Sequence, residues 1–260
     1  MQACWLALCG WLLGGLAQAA ETIRYCDYPV YPPISWSDGQ QVRGLAPELV
    51  KRLFGALGYR VEVVVLGNWR RCLLDAAAAA GRVDLILAYR TPARDRDLAF
   101  SAEPVLREDV AIFYNRQRPV RIQSLGDLAG YRGGLLFGES YGADFDRFVG
   151  RHGNVEWVSD SRQNFGKLVR QRIDYIAHER RTGTLFAERL AGGENIRALP
   201  EPLTVDYLRV AVSRHSPLAA KMDEIDRALR GYRDDGSIQR WLDDSVRDYR
   251  RLAGNRADAW

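Results

Sequence analysis

Residues 85–104 read LILAYRTPARDRDLAFSAEP. The apolar run Leu85-Ile86-Leu87-Ala88 predicts a buried strand, since unbroken apolar residues suit a sheet covered on both faces. It breaks at Thr91-Pro92, where proline cannot donate to a ladder and holds its predecessor out of helical space. Arg94, Arg96, Phe100-Ser101 and Pro104 follow. An arginine just past the carboxyl end of a buried strand sits where open α/β sheets receive ligands. Its fork matches a carboxylate with two parallel bonds, and the Thr91 hydroxyl offers a further donor. The alternative is that both arginines are solvated loop charges.

Upstream of this stretch, residues 22–26 (TIRYC) form a β-type run that ends in the stiff, ring-bearing loop DYPVYPP. Gly44 opens a helix with Pro47 in its first turn, an apolar face of Leu49, Val50, Leu53, Phe54 and Leu57, and a stop at Gly58. Residues 61–66 (VEVVVL) predict a strand, and Asn68 caps a helix expected to run from Trp69 to Gly81. Strand and helix thus alternate with short joints, which argues a parallel sheet covered by helices.

Downstream, residues 110–114 (VAIFY) lead away, and Ser124-Leu125-Gly126-Asp127-Leu128 starts a second unit. Strands are expected at 133–137, 155–158 and 172–177, with helices opening near Ser140 and over 162–170. Gly81-Arg82-Val83-Asp84 recurs in form as Gln171-Arg172-Ile173-Asp174, each leaving a helix for a strand. Two lobes of like construction follow from that echo. Residues 207–213 (YLRVAVS) predict a strand returning to the first lobe, and two amphipathic helices, 217–232 and 237–249, close the chain.

The chain has 260 residues, 47% of them hydrophobic, and a formal net charge of +4, so it builds a large core in one or two domains. Charges of both signs are interspersed, which argues against a nucleic-acid surface. The uncharged apolar run from Ala3 to Leu16 and the Ala17-Gln18-Ala19 pattern predict a signal peptide over residues 1–19, though without a basic n-region. A secreted, periplasmic protein is expected. Cys26 and Cys72 then remain in the mature chain, as one disulfide or as two buried thiols. No CxxC, HExxH or GxSxG occurs, and His152, His178 and His215 lie in different segments, so no metal, cofactor or nucleophile-base arrangement is expected. His178 is expected to be partly exposed and solvated, the alternative being that it lines the cleft beside Glu179.

These pieces in this order resemble the extracellular solute-binding proteins that serve polar amino acid importers. The resemblance runs through Tyr31-Pro32-Pro33, Gly44, Trp69, Gly81-Arg82-Val83-Asp84, Thr91-Pro92-Ala93-Arg94, Phe100-Ser101, Leu125-Gly126-Asp127-Leu128, Gly138, Arg172-Ile173-Asp174, Ala228-Leu229 and Asp235-Gly236. It implies a two-lobe periplasmic-binding-protein fold of type II, each lobe a mostly parallel sheet flanked by helices. Lobe one would span residues 20–111 and 212–260, lobe two 112–211, with hinge crossings near 110–114 and 207–213. Arg94 would hold a ligand α-carboxylate with help from Thr91 and from Ser140 of the second lobe, and Glu179 would receive the α-ammonium. Tyr31 and Trp69 would pack on the ligand side chain.

This chain departs from the family pattern at Tyr89, where many members have Ser or Thr, and at Glu139, where a second hydroxyl residue is common. The phenol of Tyr89 and the extra cation of Arg90, which follows it, change the pocket's size and charge, so the ligand is an unusual amino acid or not an amino acid at all. A Cys26–Cys72 disulfide would fix the Trp69 helix against the Tyr31 loop. The implied activity is capture of a small zwitterion by a monomer, for delivery to the membrane permease of an ABC importer and without chemistry. Two alternatives share the scaffold: a cyclohexadienyl-dehydratase-like enzyme using Glu179 or Glu139 as acid, and a soluble sensor for a membrane receptor.

Overall fold

The computed structural model describes residues 20–253. The signal peptide expected over residues 1–19 lies outside them. One continuous sheet organises the molecule, and its strand order reads the same way outward from the centre in both directions. At the centre, Leu106–Asn115 pairs antiparallel with Thr204–Ser213, from Leu106 opposite Leu208 to Val110 opposite Thr204. On one side Thr204–Ser213 continues to the antiparallel Leu85–Tyr89 strand, and beyond it Thr22–Cys26 and Arg60–Val64 run parallel. On the other side Leu106–Asn115 continues to the antiparallel Tyr175–Glu179 strand, and beyond it Gly133–Leu136 and Val155–Val158 run parallel. Each lobe is therefore three parallel strands plus one long strand shared with its neighbour.

The alternation of side chains across a strand explains why each lobe needs two apolar layers. Leu85, Leu87 and Tyr89 pack into one layer with the Leu45–Ala56 and Met222–Asp234 helices. Ile86 and Ala88 point the other way, onto Trp69, Cys72 and Ala76 of the Trp69–Ala77 helix. The second lobe repeats this: Val110, Ile112 and Tyr175 share one layer, while Ala111, Phe113 and Ile176 share the other with Phe165 and Phe186.

The sequence echo has a physical cause. Asp84 accepts the Arg24 N–H at 2.8 Å while its own N–H donates to Arg24 O at 2.9 Å. Asp174 accepts the Arg132 N–H at 2.8 Å and donates back to Arg132 O at 2.7 Å. Each aspartate thus clips the start of its strand to the parallel neighbour and satisfies an N–H that the ladder leaves free. Gly81 is required in the first copy because a Cβ there would lie 1.8 Å from Asp75 O. In the second copy Gln171 adopts φ 54° at the equivalent joint.

Several boundaries differ from expectation. The Trp69 helix stops at Ala77 instead of Gly81, since the Asp75 carboxylate turns back to accept the Arg82 and Val83 N–H groups at 2.7 and 2.8 Å. The helix expected to open near Ser140 begins at Ala143, after Gly142 at φ 97°. The strand expected at 172–177 is Tyr175–Glu179. Asn68 does cap its helix, accepting the Arg71 N–H at 3.0 Å. Ser124 and Asp127 form a reciprocal capping box. Cys26 and Cys72 are joined as a disulfide with Cα atoms 5.7 Å apart.

Candidate functional site

A cavity of about 60 Å³ lies between the lobes, at the carboxyl ends of the parallel strands. That is room for a few water molecules. Its first-lobe wall includes Asp27, Tyr28, Tyr31, Trp69 and Tyr89, and its second-lobe wall includes Leu136, Glu139, Tyr141, His178 and Glu179. The lobes meet around it. The Tyr28 hydroxyl donates to Ser159 O at 3.4 Å and accepts the Ser161 N–H at 3.2 Å. Arg250 of the last helix pairs with Glu188 at 2.8 Å, and Tyr249 packs with Leu185 and Trp36.

Arg94 follows the break after Leu85–Tyr89 and opens a single 3-10 turn, where its N–H donates to Thr91 Oγ1 at 3.2 Å. Its guanidinium crosses to the other lobe. Nη1 donates to Tyr89 O at 2.7 Å, while Nη2 donates to Gly138 O at 2.8 Å and to Glu139 Oε1 at 3.3 Å. The group also lies 5.9 Å from the centre of the Trp69 ring. Gly138 reaches Arg94 only because it has φ 84° and no Cβ; one would press on the Arg70 backbone at 3.2 Å.

Of the residues expected at the site, Tyr31, Trp69, Tyr89 and Glu179 line the cavity. Arg94 stands beside them through its Glu139 and Trp69 contacts. Thr91 serves the turn, and the Ser140 hydroxyl turns to Asp146 Oδ2 at 2.5 Å. Glu179 caps the helix Arg180–Arg189: its two oxygens accept the Arg181 and Thr182 N–H groups at 2.9 and 2.7 Å, with the Arg181 guanidinium at 3.7 Å. Burial pushes both Glu179 and Glu139 above their ordinary values, against the opposing pull of Arg181 and Arg94 respectively.

His178 differs from expectation. It is buried among Phe165, Phe186 and Tyr31 with ring centroids 5.5 to 6.1 Å away, and burial lowers its pKa to about 4, so it is neutral. Strand alternation turns it inward on Tyr175–Glu179, a placement the isolated residue does not reveal.

Two acids were not singled out by the sequence. Glu108, on the central strand Leu106–Asn115, is fully buried, and its Oε2 lies 2.7 Å from both the Tyr31 and Tyr89 hydroxyls, which are 2.8 Å from each other. Three contacts in a ring need three hydrogens, and the two phenols supply two. A proton on Glu108 would supply the third, and burial with the nearby Glu179 charge favours it by raising the carboxyl well above its ordinary range, against the pull of the two phenols and of Arg181 at 3.9 Å. Asp27 follows Cys26 at the end of the first strand. Its Oδ1 accepts the Tyr28 N–H at 2.8 Å, while Oδ2 and the neighbouring Ser35 hydroxyl make no formed hydrogen bond. Burial raises Asp27 to about 6, opposed by the Ser35 hydroxyl and the Tyr28 N–H. An acid directly after a strand that opens a parallel sheet is the sequence signal that could have found it.

Two α/β lobes joined by two long strands, with a cavity between them, make a two-lobe fold of the periplasmic-binding-protein kind. The sequence pattern of the bacterial extracellular solute-binding proteins, family 3, matches residues 23–244, and the chain belongs to that family. No curated protein sequence matches it. Among solved structures, it resembles an amino acid ABC transporter substrate-binding protein from Streptococcus pneumoniae bound to L-arginine, with a TM-score of 0.74, 17% identity and coverage of 87% of this chain and 94% of the other. A histidine kinase sensor domain gives 0.74, 19%, 86% and 97%. An ancestral amino acid-binding protein that is a precursor of cyclohexadienyl dehydratase gives 0.70, 19%, 86% and 94%. At these identities the likeness is one of fold. Among the described residues no helix is long and apolar enough to cross a membrane, and no three metal-ligating side chains converge.

Proposed function

We propose that the protein captures a small polar solute bearing a cationic nitrogen, an amino acid or a related amine, outside the cytoplasmic membrane and hands it to the permease of an ABC importer. It works as a monomer and without chemistry. The observation that carries this reading is a cavity walled by both lobes, in which rings and buried carboxyls face each other across the lobe boundary. The two strands Leu106–Asn115 and Thr204–Ser213 are the hinge, and solute binding holds the lobes together. Lobe one is the part built from both ends of the chain, and lobe two is the middle.

A thermal-shift panel of the mature protein against amino acids, amines, sugars and small carboxylates tests the reading. A solute that binds only the closed form raises the melting point with its concentration relative to Kd, by about 2.7 kcal/mol of stability at one hundred times Kd. A panel in which no solute moves the melting point would overturn the capture role. Turnover of prephenate followed by absorbance would replace that role with elimination chemistry on the same fold, the acid then being Glu139 or Glu179, both raised by burial on the cavity wall.

A further inference from the structure

We infer that the cavity takes a compact organic cation that carries no carboxylate, with Asp27 as its counter-ion. This rests on the capture reading above and narrows it.

The first ground is the state of Arg94. A carboxylate anchor needs an open fork, and this guanidinium is already engaged with two backbone carbonyls and with Glu139. Glu139 comes from the opposite lobe, so the protein brings its own carboxylate to the place an incoming one would need. A ligand carboxylate would have to displace Glu139 and leave it largely buried without a cation.

The second ground is the charge of the walls. Among the described residues lining the cavity there is no Lys or Arg, while Asp27, Glu139 and Glu179 all face it. Glu139 has Arg94, and Glu179 has two helix N–H groups and Arg181. Asp27 is 4% exposed, its Oδ2 makes no formed hydrogen bond, and no cation stands at ion-pair distance among the described residues; beyond the Tyr28 N–H on Oδ1, only the neighbouring Ser35 and Tyr25 hydroxyls and the charge of Lys51, beyond ion-pair distance, ease its burial. A buried carboxylate in that state is costly unless something completes it, and a cation does so.

The third ground is the rings. Tyr28, Tyr31, Trp69 and Tyr89 line the same wall as Asp27, and a desolvated cation is drawn to aromatic faces. The Trp69 Nε1–H is buried and without an acceptor. It suits a neutral oxygen on the ligand, such as a hydroxyl. The disulfide joins the two sides of this wall, since Cys26 precedes Asp27 and Cys72 lies on the Trp69 helix.

The test is isothermal titration of the mature, oxidised protein with matched pairs that differ in one carboxylate: ornithine against putrescine, lysine against cadaverine, glycine betaine against choline. In at least one pair the carboxylate-free member is expected to bind at least about tenfold tighter. Asp27→Asn is expected to weaken that member at least about 30-fold while the circular dichroism melt stays cooperative. Glu139→Thr, which releases Arg94, is expected to move the preference toward the amino acid member. If the amino acid member binds tighter to the unaltered protein, or Asp27→Asn leaves the amine within twofold, the inference fails while the capture reading stands. If no member of any pair binds and the solutes that do bind in the wider panel carry a carboxylate or lack a cationic nitrogen, the inference fails as well, whereas a carboxylate-free amine found there takes the place of the pair for the Asp27→Asn measurement; if no solute binds, both readings fail.

Discussion

The two lobes share a frame and differ in what they present to the cleft. Asp84 and Asp174 make the same reciprocal clip to a neighbouring strand, and the strand order mirrors itself about the central pair. The cleft walls do not repeat. In the second lobe Glu179 is held by N–H groups of its own helix and Glu139 by Arg94 reaching over from the first lobe, whereas in the first lobe Asp27 Oδ2 makes no formed hydrogen bond. Only the first lobe carries a disulfide among the described residues, and it lies directly behind that open acid. The two lobes therefore start their sheets in the same way and differ in the side chains they turn to the cavity.

The disulfide is where the asymmetry is expected to be largest. It closes a loop across a sequence separation of 46, so reduction should remove on the order of 4 kcal/mol, read from urea unfolding with and without reductant. Hydrogen exchange should show first-lobe amides losing protection before second-lobe ones. Two alkylatable thiols in unreduced protein would instead mean that the lobes are equally unstapled.

Next in size is a pH effect seated on the first-lobe side and the central strand. Asp27 is raised to about 6 in the folded state and Glu108 is raised further from its ordinary range. Groups raised on folding contribute fully below their unfolded pKa, near 4, and lose that contribution as pH climbs through the folded value. The Asp27 and Glu108 contributions should therefore fall as pH rises from about 4, by about 1.4 kcal/mol per pH unit for each proton involved, against an opposite contribution from the buried neutral His178 that grows between about pH 4 and 6.5. Calorimetry should show a shallower slope for Asp27→Asn and for Glu108→Gln, and a slope unchanged in both would dissolve the assignment.

Smaller and deliberately symmetric is the prediction for the clips. Asp84→Ala and Asp174→Ala should each cost about 2 kcal/mol in denaturant unfolding, because each strands a strand-edge N–H. A large cost at one and none at the other would show that the echo is only one of sequence. Smallest is Glu179→Ala, which should lower stability by about 1 kcal/mol through loss of the cap on Arg180–Arg189. A loss several times larger would mean that Glu179 does more for the closed form than capping.

Much of the frame was legible because it is written in short range. Alternation along Leu85–Tyr89, the proline break after Arg90, the Asn68 cap and the Ser124–Asp127 box each depend on residues within a turn or a strand of one another. The cavity wall was legible in part: Tyr31, Trp69, Tyr89 and Glu179 line it. Glu108 was missed because on its own strand it reads as one charged residue among Arg107 and Asp109, and only the crossing of two distant segments brings Tyr31 and Tyr89 to it. His178 was misjudged for a related reason, since its burial comes from Phe165 and Phe186 on other elements.

By itself the sequence determined the alternation of strands and helices, the doubled architecture and the pair of cysteines available for joining, all of which follow from period, breaks and local hydrogen bonds. The tertiary structure alone decided that Arg94 meets Glu139 across 45 residues of chain, that Glu108 is buried against two phenols, and that Asp27 has no cation at ion-pair distance among the described residues. Charges find partners through space, and which acid meets which base is fixed only when two separately built sheets close against each other and exclude water from the gap.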